Sequence, residues 1–310
     1  MQNEHIPVLL DEAIAGLNIN PNGIYVDCTL GGAGHASEIL RKLSAQGFLY
    51  CFDQDNYSVL RGKERLASIC PNFTVIEDNF LNIKKHLEVL GVNKVDGILY
   101  DLGVSSFQFD IGDRGFSYNY DAFLDMRMNQ DQSLRAYDIV NGYSLNELKK
   151  IFYEYSEERF APSIAKRIII EREKKPIETT FELVEIIKRS ISASARRTGG
   201  HPAKKVFQAL RIAVNNELEV FDKSLKDALT MLNPQGRIVV ISFHSLEDKI
   251  CKANFREKVE VNIPRGLPIK EKDIVREYRL INNKVITASP EELERNNRAH
   301  SAKLRIIEKL

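Results

Sequence analysis

The chain lacks the features of a secreted or membrane-embedded protein. Its 310 residues include only four cysteines, Cys28, Cys51, Cys70 and Cys251, and no two form a Cys-x-x-Cys pair. A zinc ribbon and a disulfide framework are therefore not expected. The longest strictly apolar run is Phe48 to Phe52, far short of the roughly 20 residues a membrane helix needs. The opening Met1-Gln2-Asn3-Glu4-His5 places no basic patch ahead of an apolar run, so no secretory signal is expected and the default location is the cytoplasm. Internal repeats and low-complexity linkers are also missing.

Net charge is nearly absent too, with 44 Lys+Arg against 43 Asp+Glu. The balance hides a polarity along the chain. Residues 1–110 hold 8 basic and 14 acidic residues, residues 111–210 hold 17 and 14, and residues 211–310 hold 19 and 15. Such asymmetry is compatible with a polyanionic partner.

What is present is an alternation of strand and helix. Ile24 to Thr29 is β-rich and runs into the turn Gly31-Gly32-Ala33-Gly34. A helix is expected from His35 to Gln46, with Ile39, Leu40 and Leu43 on one face. Phe48 to Asp53 reads as a buried parallel strand ending in an acid. A helix near Tyr57 to Ser68, a strand from Phe73 to Ile76, a helix from Leu81 to Leu90 and a strand from Val95 to Tyr100 follow. This spacing argues for an α/β fold, a parallel sheet with helices on both faces. Between about 106 and 200 only helical segments are convincing, at Ser144–Tyr155, Pro162–Lys174 and Phe181–Ser192. From Pro202 an apolar stripe, Val206 to Leu229, predicts one long helix ended by Asn233-Pro234-Gln235-Gly236. Arg237–Phe243, Tyr278–Ile281 and Lys303–Ile307 are the last strand candidates. The simplest assembly is a discontinuous α/β domain, 1–105 and 206–310, interrupted by a helical, substrate-binding insertion, 106–205.

Ligands of open parallel sheets bind outside the carboxyl ends of the strands. Those ends carry Asp27, the glycine turn with Gly32, Ala33, Gly34 and His35, then Asp53, then Asn79-Phe80, then Asp101. Glycines let backbone approach a ligand closely. Asp53, 19 residues beyond Gly34, is placed to accept from a ribose diol, and Phe80 to flank an adenine. A dinucleotide motif would read Gly-x-Gly-x-x-Gly, but Ser37 holds the third glycine position. The acids suit an adenosyl group with a cationic tail, as in S-adenosylmethionine. A nicotinamide-dependent oxidoreductase and a non-catalytic ribosome-assembly factor on the same fold are the alternatives.

The fourth strand continues as Asp101-Leu102-Gly103-Val104-Ser105-Ser106-Phe107-Gln108. With this block the chain resembles the bacterial ribosomal RNA small subunit methyltransferase H family. Further matching blocks are His5–Leu10, Thr29–His35, Arg114–Ser117, Leu124–Met128, Phe207–Ile212, Ser242–Asp248 and Ser301–Arg305. Departures fall at Gln54, Phe107, Ala122-Phe123 and Lys204-Lys205. The resemblance implies a Rossmann-like class I methyltransferase sheet with an inserted helical domain. It implies N4-methylation of a cytidine in the decoding region of 16S rRNA, with S-adenosylmethionine as donor. It assigns cofactor contacts to Ala33, Gly34, His35, Asp53, Phe80, Asp101 and Gln108, and Gln108 rests on it alone. The resemblance further implies 16S rRNA or the small ribosomal subunit as substrate. The oligomeric state stays open, a dimer being one option.

Methyl transfer from a sulfonium is a direct displacement and needs no metal. The cytosine amine is a weak nucleophile, so an acceptor on its N–H would assist. Asp101 leads as that acceptor, with Ser105 and Ser106 next. His244 is a candidate contact to the target base or its phosphate. Lys188 to Arg211 contains Lys188, Arg189, Arg196, Arg197, Lys204, Lys205 and Arg211 and no acid. Arg196, Arg197, Lys204 and Lys205 are therefore the expected phosphate contacts.

Overall fold

The computed structural model describes residues 7–105, 108, 112–193, 200–260 and 276–310. The chain forms two compact units, residues 1–103 with 218–310, and residues 104–217.

The first unit is built on a seven-stranded sheet. Its strands are β1 (Ile24–Asp27), β2 (Phe48–Asp53), β3 (Phe73–Glu77), β4 (Val95–Asp101), β5 (Leu232–Ser242), β6 (Tyr278–Leu280) and β7 (Lys303–Lys309). Their spatial order is β3-β2-β1-β4-β5-β7-β6. All pairings from β3 to β5 are parallel, and β7 runs antiparallel to both β5 and β6. This is a Rossmann-like, open α/β sheet with one antiparallel strand. Its order reverses between β1 and β4, and that reversal fixes where a ligand belongs.

Successive residues of the central strands enter opposite cores, as the pleat requires. Tyr25, Leu99 and Val239 join a cluster with Leu17 of α1 (Leu10–Leu17), Ile39 of α2 (Gly34–Lys42) and Leu66 of α3 (Asn56–Ala67). Val26, Ile98, Tyr100 and Val240 join the other cluster with Leu87 of α4 (Ile83–Val89). The helix α10 (Glu217–Met231) adds Phe221 and Leu225 there, and α11 (Ser245–Val259) adds Phe255. The short α12 (Pro290–Arg295) precedes β7.

The second unit is helical: α5 (Ala136–Gly142), α6 (Leu145–Glu154), α7 (Ala161–Arg172), α8 (Thr180–Ser190) and α9 (Lys204–Asn215). Ser144 and Thr179 open α6 and α8 with capping boxes closed by Glu147 and Glu182. Phe152, Ile164, Ile168, Leu183, Ile187, Val206, Phe207 and Leu210 form one core. Each such side chain, fully buried, stabilises the unit by about 1.5–3 kcal/mol.

Two expectations need correcting. The stripe from Val206 to Leu229 is not one helix. Asn216 adopts φ 49, ψ 36 and separates α9 from α10. Asparagine tolerates this left-handed conformation better than most residues, and the apolar periodicity continues across the break. Asn233-Pro234-Gln235-Gly236 also does not lie outside the sheet. It belongs to β5, which begins at Leu232 and slips register against Val95 and Gly97. Gln235, at φ 66, accommodates that irregularity.

Candidate active site

The carboxyl ends of β1, β2 and β4 converge on the glycine turn. Leu30 N–H donates to the Phe52 carbonyl at 3.0 Å, and Ala33 N–H to Leu30 O at 2.6 Å. Gly31 (φ 47) and Ala33 (φ 57) both take left-handed conformations. Gly62 lets α3 lie against this turn, because a Cβ there would come within 2.5 Å of the Leu30 side chain. A Cβ on Gly34 would meet Pro7 at 2.2 Å. Ser37 is buried and donates its hydroxyl to Ala33 O at 2.5 Å. The turn is thus closed by a hydroxyl where a dinucleotide motif has its third glycine.

Three carboxyl groups border the turn. Asp27 Oδ1 accepts the Thr29 N–H at 3.0 Å. Burial lifts its pKa to about 6, against the Thr29 and Ala36 N–H groups that lower it. Asp53 Oδ2 accepts the Gly31 N–H at 2.8 Å and Oδ1 the Asp55 N–H at 2.9 Å. Burial still raises it to about 7. Asp101 is raised well above the carboxylate range by burial, and Asp27 and Glu247 add to the effect. Its Oδ1 is buried with no hydrogen-bond partner among the described residues. Its Oδ2 lies 3.5 Å from Nδ1 of His35.

Thr29 was not among the expected site residues, yet it joins two of these acids. Asp101 N–H donates to Thr29 Oγ1 at 2.7 Å, and Thr29 Oγ1 lies 3.4 Å from Asp27 Oδ1 as donor. A β-branched residue just past a strand carries no sequence signal for such a role.

The remaining expected residues divide. Phe80 opens the 3₁₀ turn after β3, its ring edge-on to Tyr100 at 5.6 Å. His244 caps α11, with Nδ1 accepting the Glu247 N–H and Nε2 3.1 Å from Glu247 Oε1. Nδ1 is thus engaged by its own helix, while Nε2 is buried without a hydrogen-bond partner among the described residues. In the helical unit, Gln108 is buried and its Oε1 accepts the Ser105 N–H at 3.1 Å. Lys204 and Lys205 are exposed at the start of α9, and Lys205 donates to the Glu157 carbonyl. Ser106, Arg196 and Arg197 lie outside the described residues. The acid-free run also finds acids in space. Arg211 makes a two-pronged pair with Glu217, and Lys188 pairs with Glu185.

The chain matches the MraW methylase family model over residues 2–310. It belongs to that family. It is 55% identical over 308 residues to the ribosomal RNA small subunit methyltransferase H of Exiguobacterium sibiricum, covering 99% of this chain and 98% of the relative. Among solved structures, a putative rRNA-methylase from Clostridium thermocellum is similar at TM-score 0.48 and 11% identity, covering 99% of this chain and 100% of that one. A putative methyltransferase solved in complex with SAH is similar at TM-score 0.42 and 7% identity, covering 97% of this chain and 48% of the other. For this methylase family member, no helix among the described residues is long and apolar enough to cross a membrane.

Proposed function

We propose that the chain transfers a methyl group from S-adenosylmethionine to the N4 amine of a cytidine in the decoding region of 16S rRNA. The name of its 55% identical relative supports the ribosomal substrate. The observation that carries the donor assignment is the uncompensated acid at the switch point. Among the described residues no lysine or arginine hydrogen-bonds Asp27, Asp53 or Asp101. Buried carboxyls of this kind favour a cationic ligand.

The residues fit such a donor. Asp53 uses one lone pair on each oxygen for backbone N–H groups, which leaves acceptor capacity for a ribose diol. The turn Gly32-Ala33-Gly34-His35 offers close backbone approach and Phe80 an apolar flank, while Gln108 is assigned to the donor by the resemblance alone. When bound, the donor supplies a methyl group made electrophilic by a sulfonium. Asp101 faces a different task. Its Oδ1 accepts from the amine N–H as the nitrogen becomes tetrahedral, and then takes the proton. Ser105 and Ser106, which follow in the sequence, are the further candidates for this role. The helical unit holds the surrounding rRNA, with Lys204, Lys205, Arg196 and Arg197 contacting phosphates and His244 near the target nucleotide. Reaching a stacked cytidine requires that the base be flipped out.

The test is incubation of the protein with labelled donor and either naked 16S rRNA or small subunits from cells lacking the modification, followed by nucleoside analysis. Label in N4-methylcytidine at a decoding-region position is the expected result. Label in another nucleoside, or none with either substrate, rejects the assignment.

A further inference from the structure

His35 stands in the first turn of α2 and is 5% exposed. Its Nε2 lies 3.1 Å from the carbonyl oxygen of Val8. A carbonyl only accepts, so this contact calls for a proton on Nε2. A neutral imidazole then has a lone pair on Nδ1. That Nδ1 is 3.5 Å from Asp101 Oδ2. A lone pair facing an ionised carboxylate is repulsive. With one proton between them the same two atoms attract.

The other groups around Asp101 act in the same sense. Asp27 at the end of β1 and Glu247 on α11 both place negative charge near it. Thr29 binds the Asp101 N–H and so fixes the backbone. Its Oδ1 is left without a hydrogen-bond donor among the described residues.

Resting on the reading of Asp101 as acceptor for the cytidine amine, we infer that His35 is a positioning residue that orients Asp101 and shares its proton through Nδ1. The amine nitrogen gains the methyl as the sulfur–methyl bond breaks, with that electron pair remaining on sulfur. The nitrogen then releases one proton to the Asp101 carboxylate. A half-turn of the protonated carboxyl then brings the new O–H against Nδ1, so the contact becomes attractive once the proton has arrived. His35 stays neutral throughout, and Val8 keeps its ring from turning. No further reactant is required.

Two readouts test this. The first is ring-nitrogen NMR on isotopically labelled, donor-free protein. The proton of the neutral His35 ring is expected on Nε2. Its Nδ1 signal should follow a titration that disappears in Asp101→Asn. The second is the pH profile of single-turnover methylation in His35→Gln and His35→Asn. Glutamine keeps a donor for Val8 but removes the acceptor facing Asp101. Its plateau rate should fall about tenfold or more, and its acid limb should move about one pH unit lower, because Asp101 has lost a group that raised its proton affinity. Asparagine keeps an acceptor near Nδ1 and should restore the limb. A proton on Nδ1 instead of Nε2 overturns the inference, as does an unmoved acid limb in His35→Gln. If that variant does not fold, the NMR result on the unsubstituted ring decides alone. Full turnover by Asp101→Asn is a different failure, because it removes the acceptor reading and leaves the tautomer measurement standing.

Discussion

The ends of β2 and β4 carry the same side chain under opposite conditions. Asp53 has a backbone N–H on each oxygen, from Gly31 and Asp55. Asp101 has no donor on Oδ1 among the described residues and an imidazole nitrogen beside Oδ2. Burial raises both groups. At Asp53 the two N–H donors oppose burial and the value settles at about 7. At Asp101 no hydrogen bond opposes it, and Asp27 and Glu247 push further the same way. Donors to a carboxylate favour its charged form, and their lack favours the protonated form. A carboxylate pinned by two backbone groups suits the fixed recognition of a diol. One that lacks donors suits the capture of a proton.

The sharpest break between the two would come from removing each carboxylate in turn. Asp101→Ala should lower single-turnover methylation by about 10³-fold, measured as label transferred to the small subunit. Near-normal transfer would end the distinction between the two strand ends. Asp53→Ala should act on binding instead. Losing two hydrogen bonds to a charged acceptor corresponds to a donor Kd weaker by about 10²-fold, read by calorimetric titration. An unchanged Kd would remove the ribose assignment. The variant should also lose stability, because the Gly31 and Asp55 N–H groups would need new acceptors.

Acidity separates binding from stability at the β2 end. Asp53 at about 7 and Asp27 at about 6 both sit above the ordinary value of 3.8. The folded chain therefore holds more protons than the unfolded chain between those limits. Stability from these two groups is fully present below about pH 4 and is lost as pH rises through 6 to 7. Donor binding should run the other way, since the ionised Asp53 accepts from both hydroxyls. Affinity should rise by at most about tenfold per pH unit up to about pH 7 and level off above it. Calorimetry and chemical denaturation of the donor-free protein over this range check both slopes. Slopes of equal sign would contradict the assignment of Asp53.

Much of this site could be read from the chain because its markers are local. Phe48 to Asp53 is an apolar run that stops at an acid, and Ile98 to Asp101 repeats the device. The glycine turn announces itself by composition. What escaped depends on single residues or on distant pairs. Asn216 breaks a helix without interrupting its apolar stripe, so periodicity could not show it. Leu10–Leu17 is a short helix whose N-cap, Leu9, sits in a left-handed conformation and offers no capping side chain. Asn233-Pro234-Gln235-Gly236 has the composition of a turn, yet the slipped register of β5 keeps it in the sheet. His35 and Asp101 meet only because the strand order reverses between β1 and β4.

The smallest expected effect tests how Asp101 is held. The β2 carboxylate is positioned by backbone donors, so no single side-chain change nearby should release it. The β4 end depends on a side chain, because the Asp101 N–H ends on Thr29 Oγ1 at 2.7 Å. Thr29→Val keeps the branched shape and removes that acceptor. One partly buried N–H then loses its partner, a cost of about 1–3 kcal/mol. Part of that cost should be relieved by a small shift of the β4 end. Methyl transfer is sensitive to such shifts, and a fall of about three- to tenfold in single-turnover rate is expected. Donor Kd should change by less than about threefold, since Asp53 and the turn keep their own bonds. Thr29→Ser restores an oxygen at the same place and should return most of the rate. If Thr29→Val weakened donor binding as much as it slowed transfer, the two strand ends would be one cooperative site rather than a receptor and a base.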